Sequence, residues 1–305
     1  ALVASHLRWL WTRCERPEGR WARSHLPSGA TKDRGLQADQ QLYPLLELCD
    51  YRTATGALPE LRRDAAGGWD ELVTEAWAAL PVHEDVGLLA GEENPADEPL
   101  ELPYLVSNQI LWWTTSVRLR ELQAVTGIAR GIDFRSVGES VRTRVRQHFC
   151  APGPASTQWA YATDARGATA LYNDANDLPT AFAPLLGFCT PADDLWRATM
   201  EFTFGPDNAA YCPGAHGGLG SVHTPGTWPL GDIQEWVAFS LMGQRERAAR
   251  ALRRLVEAAT SDGMFPEAYD PDSGRLAARH WFAWPGAVLG ALYLGGVPGR
   301  TRPDS

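Results

Sequence analysis

The sequence predicts an all-α protein of the (α/α)6-toroid type with one small β-hairpin, residues 1–305 forming a single domain. Ten segments carry apolar residues at helical spacing. Their connections alternate between short and long, and the long ones, near 85–103, 205–231 and 262–280, are enriched in Gly, Pro and His. Helical pairs set in a ring, with the long loops gathered at one end around a pocket, produce that distribution. A helical solenoid is the competing architecture, and the chain has no fixed sequence period to support it.

The elements follow in order. Residues 1–13 form a short helix with Leu2, Leu7, Leu10 and Trp11 on one side, and a polar Gly/Pro-bearing connection runs over 15–31. Residues 36–55 form a helix striped by Leu42, Leu45, Leu46 and Cys49. Pro44 lies inside it and must kink it or start a new helix, because proline leaves the carbonyl of Gln40 without a donor. A helix over 69–80 stops at Pro81, the longest, over 104–126, stops at Gly127, and another covers 133–149. Residues 156–173 read as two short strands about a turn at Asp164–Gly167. Helices resume over 177–188, 192–204, 232–242 and 246–259, and one over 281–294 is interrupted by Pro285. Beyond Gly295 the tail is polar and expected to fray.

Composition limits the function. The net charge of −9 disfavours a nucleic-acid surface, and Lys32 is the only lysine among 28 basic residues. No run approaches the roughly 18 apolar residues that span a bilayer. Residues 1–11 lack a cleavage-site pattern, so no targeting segment is expected. The five cysteines (Cys14, Cys49, Cys150, Cys189, Cys212) are odd in number and widely spaced, which fits buried free thiols in a reducing, cytoplasmic compartment. Thirteen tryptophans are many, and Trp159, Trp228, Trp281 and Trp284 fall in loops or at helix starts. Such residues pack cores, and they also stack on the apolar faces of sugar rings.

Several stretches offer chemistry. Asn94-Pro95-Ala96-Asp97-Glu98 is a Pro-flanked acidic loop just ahead of the longest helix. A carboxyl there suits proton transfer to a leaving group, and the stretch equally suits a plain helix-entry loop. Residues 217–229 are too rich in Gly and Pro for a regular element, and glycine lets backbone approach a ligand. His223 in that loop could bind a sugar hydroxyl or cap backbone groups. No lysine follows the glycines, which excludes a phosphate loop, and His216 and His223 lack the spacing of a metal site. No metal or other cofactor is expected. Asp174-Ala175-Asn176-Asp177 fits sugar binding or an N-cap cluster. Glu267 lies among Met264, Phe265 and Tyr269, where desolvation suits a general acid or base, or it is an exposed loop glutamate. Arg279 stands beside Trp281, Phe282 and Trp284, an odd place for a cation in a core.

Taken in order, these pieces resemble glycoside hydrolase family 125, the metal-independent exo-α-mannosidases with an α/α-toroid fold. The resemblance runs from about Asp33 to Leu294. It rests on Asp33-Arg34-Gly35-Leu36-Gln37-Ala38-Asp39-Gln40-Gln41-Leu42-Tyr43-Pro44; on Pro95-Ala96-Asp97-Glu98 with Tyr104-Leu105; and on Ala160-Tyr161 through Gly167. It continues with Asp174-Ala175-Asn176, Gly218-Leu219-Gly220-Ser221 with His223 and Trp228-Pro229, Phe265-Pro266-Glu267, and Arg279 with Trp281-Phe282-Ala283-Trp284.

The resemblance implies that Asp97 is the general acid and Glu267 the general base of an inverting hydrolysis, acting on α-1,6-linked mannose in an oligosaccharide. Inverting pairs stand roughly 6.5–9.5 Å apart, with room for the attacking water. Asp39, Asp174, Asn176, His223, Trp228, Arg279 and Trp281 would line the sugar subsite. The chain departs from the family pattern at Asn94 (arginine in the family), Ala90 (tryptophan), Pro266 (histidine) and Pro285-Gly286 (Ala-Asn). The family's N-terminal Trp-Leu-Arg-Asp motif has no counterpart, so the sequence reads either as a fragment or as a shortened relative with an incomplete ring. These departures motivate two alternatives: a toroid glycosidase acting on another sugar, and an inactive sugar-binding relative.

Overall fold

A computed structural model describes residues 1–61, 68–258 and 262–295. The chain clusters into two compact units, residues 1–149 with 162–168 and residues 150–161 with 169–305.

Among its described residues the first unit is built on five helices: α1 (Leu2–Thr12), α2 (Ala38–Thr55), α3 (Gly68–Ala78), α4 (Val106–Thr126) and α5 (Phe134–His148). Helix α2 packs on α1 and α4, and α4 pairs with α5. Helix α2 starts at Ala38, two residues later than its apolar pattern suggests, because Gln37 is extended and its side chain is engaged elsewhere. It runs through Pro44 to a left-handed Gly56 without breaking. Gly127 closes α4 in the same conformation, as its position predicts, and the Asp133 carboxylate caps α5 at the Ser136 N–H.

The N-terminal half of α4 is buried on every side, from Val106 to Ser116. Thr114, Thr115 and Ser116 can sit there because each hydroxyl donates to the carbonyl four residues back. Gln109 exchanges hydrogen bonds with both backbone groups of Leu89, at 3.0 and 2.8 Å, which ties the 85–103 loop to the helix.

Leu7, Leu45, Leu48, Val73, Leu119 and Phe134 join the core of this unit around Trp11. Trp11 is 1 % exposed and meets Trp21 and Trp69 edge-on, with centroids 5.0 and 5.4 Å away. Trp11→Ala should therefore cost about 3–5 kcal/mol of stability, the usual range for removing a large core aromatic. Urea unfolding followed by tryptophan fluorescence checks it.

The second unit holds α6 (Leu178–Ala181), α7 (Asp194–Thr203), α8 (Pro229–Leu241), α9 (Arg245–Ala258) and α10 (Ala283–Gly295). Helix α6 is a single turn rather than the helix expected over 177–188, and Pro184, which has no N–H to donate, follows it closely. Helices α8 and α9 form a hairpin. Ile233, Val237 and Leu255 meet Val288, Leu289 and Leu292 of α10 in its core. Pro285 does not interrupt α10, because the helix begins at Ala283 and tolerates proline in its first turn. The expected end of α9 at Ala259 and the tail beyond Gly295 lie outside the described residues.

The strands are short and lie in the long loops. The expected turn at Asp164–Gly167 forms, with Asp164 Oδ1 accepting from the Arg166 and Ala168 N–H groups. Further two-strand ladders form where the sequence shows no strand, as at 211–212 with 218–219, and 157–159, inside the expected hairpin, pairs instead with the unexpected strand 150–152. They are two or three residues long, too short for alternation to register. Among the described residues, no helix is long and apolar enough to cross a membrane. None of the five cysteines forms a disulfide. Cys14 and Cys49 are buried as expected, but Cys150 is exposed and Cys189 and Cys212 are half-buried.

Candidate active site

In the first unit the acidic loop is closed by its own asparagine. The Asn94 side chain accepts from the Ala96 and Glu98 N–H groups at 2.9 and 3.0 Å, and its backbone N–H donates to the Glu98 carbonyl. This bond pattern drives Asp97 into the left-handed region at φ +65°, a conformation Asp tolerates better than most residues. Asn94 is buried, so at this position it builds the turn.

Gln37 reaches across 60 positions to the loop, its Nε2 donating to Asp97 Oδ1 at 2.6 Å and to the Asn94 carbonyl at 3.0 Å. Arg23 sits among three acids, 3.0 Å from Glu93 and 3.9 Å from both Asp33 and Asp97. The Asp97 side chain is half exposed. One carboxylate oxygen is thus held while the group stays open to solvent, an arrangement that permits proton transfer to an incoming oxygen.

Asp39, in the first turn of α2, is 6 % exposed, and its Oδ1 has no hydrogen-bond partner. Burial pushes its carboxyl up to about 6, and the negative charge of Asp97 acts in the same direction. A buried acceptor without a donor fits a ligand hydroxyl.

The shift also predicts a pH effect. Below about 4 the carboxyl is protonated in both folded and unfolded chains, and between about 4 and 6 the folded chain keeps a proton that the unfolded chain has lost. Stability should therefore fall as pH rises through that window, by about 3 kcal/mol for a two-unit shift. Asp39→Asn should flatten the fall, as measured by denaturant unfolding at pH 4, 5, 6 and 7. Burial pushes the Asp232 carboxyl up to about 7, which adds a fall of the same sign.

In the second unit Asp174 is the hub of one cluster. Its Oδ2 accepts from the Tyr172 and Ser221 hydroxyls at 2.5 and 2.8 Å, and its Oδ1 accepts from the Asn176 N–H and side-chain amide, both at 2.8 Å. With four donors on one buried carboxylate, Asp174 orients its neighbours. The Asn176 amide and Ser221 are the groups it presents. The Asp177 side chain does not cap α6, so an N-cap role for this stretch is not what forms. Burial and the Asp174 charge push the Tyr172 phenol up, keeping it a donor. The His223 backbone N–H is held by Ser221 at 3.1 Å, while its ring is exposed.

The glycines of the 217–229 loop serve the protein's own backbone. A Cβ on Gly220 would lie 2.1 Å from the Gly226 carbonyl, and one on Gly226, at φ +124°, 2.7 Å from the Tyr269 carbonyl.

Glu267 is 2 % exposed, so the reading of it as an exposed loop glutamate fails. Its N–H donates to the carbonyls of Ala278 and Arg279, and its carboxylate accepts from Arg279 Nη1 at 2.7 Å. Arg279 is itself left-handed, at φ +42°, and its side chain is 62 % exposed. The cation that looked out of place beside three aromatics is therefore the partner of Glu267.

The two tryptophans of the expected subsite differ. Trp228 is 1 % exposed, caps the start of α8, donates its indole N–H to the Thr224 carbonyl and packs edge-on against Phe282 at 5.6 Å. It packs the core rather than offering a stacking face. Trp159 is buried likewise. Trp281 is 69 % exposed, anchored through its indole N–H to Asp262 at 3.0 Å, with His280 on the same oxygen. Its ring can take a ligand.

The structure thus joins Asp39 to Asp97 through the Gln37 segment, Asp174 to Asn176 and the His223 backbone, and Glu267 to Arg279. Gln37, Arg23, Tyr172 and Ser221 belong to these clusters but were not picked out as functional. Gln37 was recoverable, lying two residues before Asp39 in the same motif. Arg23 was not, since nothing in a polar connection marks one arginine from another.

Residues 62–294 match the model of the metal-independent alpha-mannosidase family (GH125). A comparison with curated protein sequences finds no match. The fold is similar to that of a Streptococcus pneumoniae metal-independent alpha mannosidase solved as a non-productive complex with alpha-1,6-mannobiose. The TM-score is 0.73 at 19 % identity, covering 98 % of this chain and 80 % of that one. A bacterial glucoamylase complexed with acarbose gives 0.63 at 12 %, covering 90 % and 42 %, and a D-mannose isomerase gives 0.61 at 10 %, covering 96 % and 82 %. These likenesses put the chain in the all-α, α/α-toroid fold class. Since an isomerase shares it, the fold alone does not choose the chemistry.

Proposed function

Because this chain belongs to the metal-independent α-mannosidase family GH125, we propose that it is an exo-acting, inverting α-mannosidase that removes α-1,6-linked mannose from an oligosaccharide, with Asp97 as general acid and Glu267 as general base. The observation that carries the reading is how each acid is held. Asp97 is bonded through one oxygen and half exposed, as suits a proton donor to a departing sugar. Glu267 is buried and held by a 2.7 Å hydrogen bond from the Arg279 guanidinium, as suits a base positioned to act on water. The acid protonates the glycosidic oxygen while the base takes a proton from a water attacking the anomeric carbon from the opposite side. Inversion therefore releases β-mannose.

Asp39, with its unpartnered Oδ1, and Asn176, oriented by Asp174, would take sugar hydroxyls, and His223, Arg279 and Trp281 would supply further sugar contacts. Its site of action would be the cytoplasm, a compartment that suits cysteines outside disulfides. The test is incubation of the purified protein with α-1,6-mannobiose and a panel of aryl α-glycosides, with the first-formed anomer read by proton NMR. Release of β-mannose supports the proposal. Release of α-mannose rejects inversion, and turnover of a different glycoside alone moves the assignment to another sugar. Mannose binding without turnover makes the chain a sugar-binding relative.

A further inference from the structure

The Glu267 hairpin is tied to a buried charge cluster on α8 and α9 that the proposed chemistry does not use. Tyr269, two residues beyond Glu267, donates its hydroxyl to Asp232 Oδ2 at 2.5 Å. Asp232 is fully buried, and its Oδ1 accepts from Arg254 Nε and Nη2 at 2.9 and 2.8 Å. Arg254 also bonds Glu235, and Glu235 lies 3.6 Å from Arg247, which pairs with Glu201 at 2.5 Å. Burial pushes the Tyr269 phenol up, so it stays protonated as a donor.

Burying such a cluster is a poor way to gain stability, since apolar residues of the same volume commonly do as well or better. What the cluster does supply is position. The Tyr269 backbone exchanges two hydrogen bonds with Thr227, at 2.9 and 3.0 Å, directly before the start of α8. Tyr269 is therefore fixed at both ends, by its backbone ahead of α8 and by its hydroxyl one turn inside it. Glu267 lies two residues before Tyr269, and its N–H bonds the Ala278 and Arg279 carbonyls at the end of the same two-stranded ladder, so fixing Tyr269 restricts where the Glu267 backbone can lie.

We infer that Asp232 is a positioning residue for Glu267, acting through the Tyr269 hydroxyl to hold the carboxylate where the reaction needs it. The inference rests on the reading of Glu267 as general base. Tyr269→Phe removes the hydroxyl and keeps the ring. It should lower kcat about tenfold or more, the scale on which small misplacements of a reacting group act. KM should stay within twofold, because the sugar contacts are untouched. In a Glu267→Ala background the same change should have no further effect.

Amide hydrogen exchange over 265–270 should quicken in Tyr269→Phe while the rest of the chain is unaltered. An unchanged kcat, or an equal loss in the Glu267→Ala background, overturns the inference. If Glu267→Ala itself leaves hydrolysis intact, the general-base reading has failed, and with it the inferred role. Exchange then reports on the clamp alone, and unaltered exchange removes that as well. Should Tyr269→Phe not fold, Asp232→Asn, with the same readouts, takes its place.

Discussion

Asp97→Ala should lower turnover of α-1,6-mannobiose by about 10³-fold, within the 10²–10⁴ range that a positioned proton donor contributes. A sugar alkoxide is a poor leaving group and needs the proton. An aryl α-mannoside with an acidic phenol needs it far less, so the same variant should lose much less on that substrate. The contrast between the two substrates is the measurement. Equal losses on both would show that Asp97 does not act on the leaving group. The left-handed backbone at Asp97 adds a control. Asn94, not the Asp97 side chain, closes the turn, so the variant should keep its fold, with about 1 kcal/mol of stability lost because Ala adopts the left-handed conformation less readily than Asp.

Glu267→Ala should lose about 10³-fold on both substrates alike, because activation of water is needed whatever leaves. The substitution also leaves Arg279 without its carboxylate partner. Arg279 is mostly exposed and can be resolvated, so the cost in stability should be small compared with the loss of rate. Kinetics and thermal unfolding on the same preparations separate the two. Activity within threefold of wild type would remove Glu267 from the mechanism.

Much of the fold is legible in the sequence because its signals are local. Gly127 ends α4, Asp133 caps α5, and the turn at Asp164 forms where Asp and Gly require it. Each depends on atoms within about four residues. The misreadings came where a distant contact overrode a local pattern. Helix α2 begins late because the Gln37 amide is drawn to the Asp97 loop. The glycines of the 217–229 loop read as room for a ligand, yet they make room for the Gly226 and Tyr269 carbonyls. Trp228 and Trp281 look alike as loop tryptophans, and burial separates them as 1 % and 69 % exposed.

The sequence by itself determined the helical class, the order of the motifs and the family, since periodicity, caps and ordered motifs survive in one dimension. Only the tertiary structure decided what surrounds each acid: Gln37 and Arg23 at Asp97, four donors on Asp174, Arg279 on Glu267, and Asp232 behind Tyr269. Several of these partners lie 37 to 74 positions apart. Hydrogen bonds and ion pairs act over a few ångströms, and such residues come within reach only once the chain has packed.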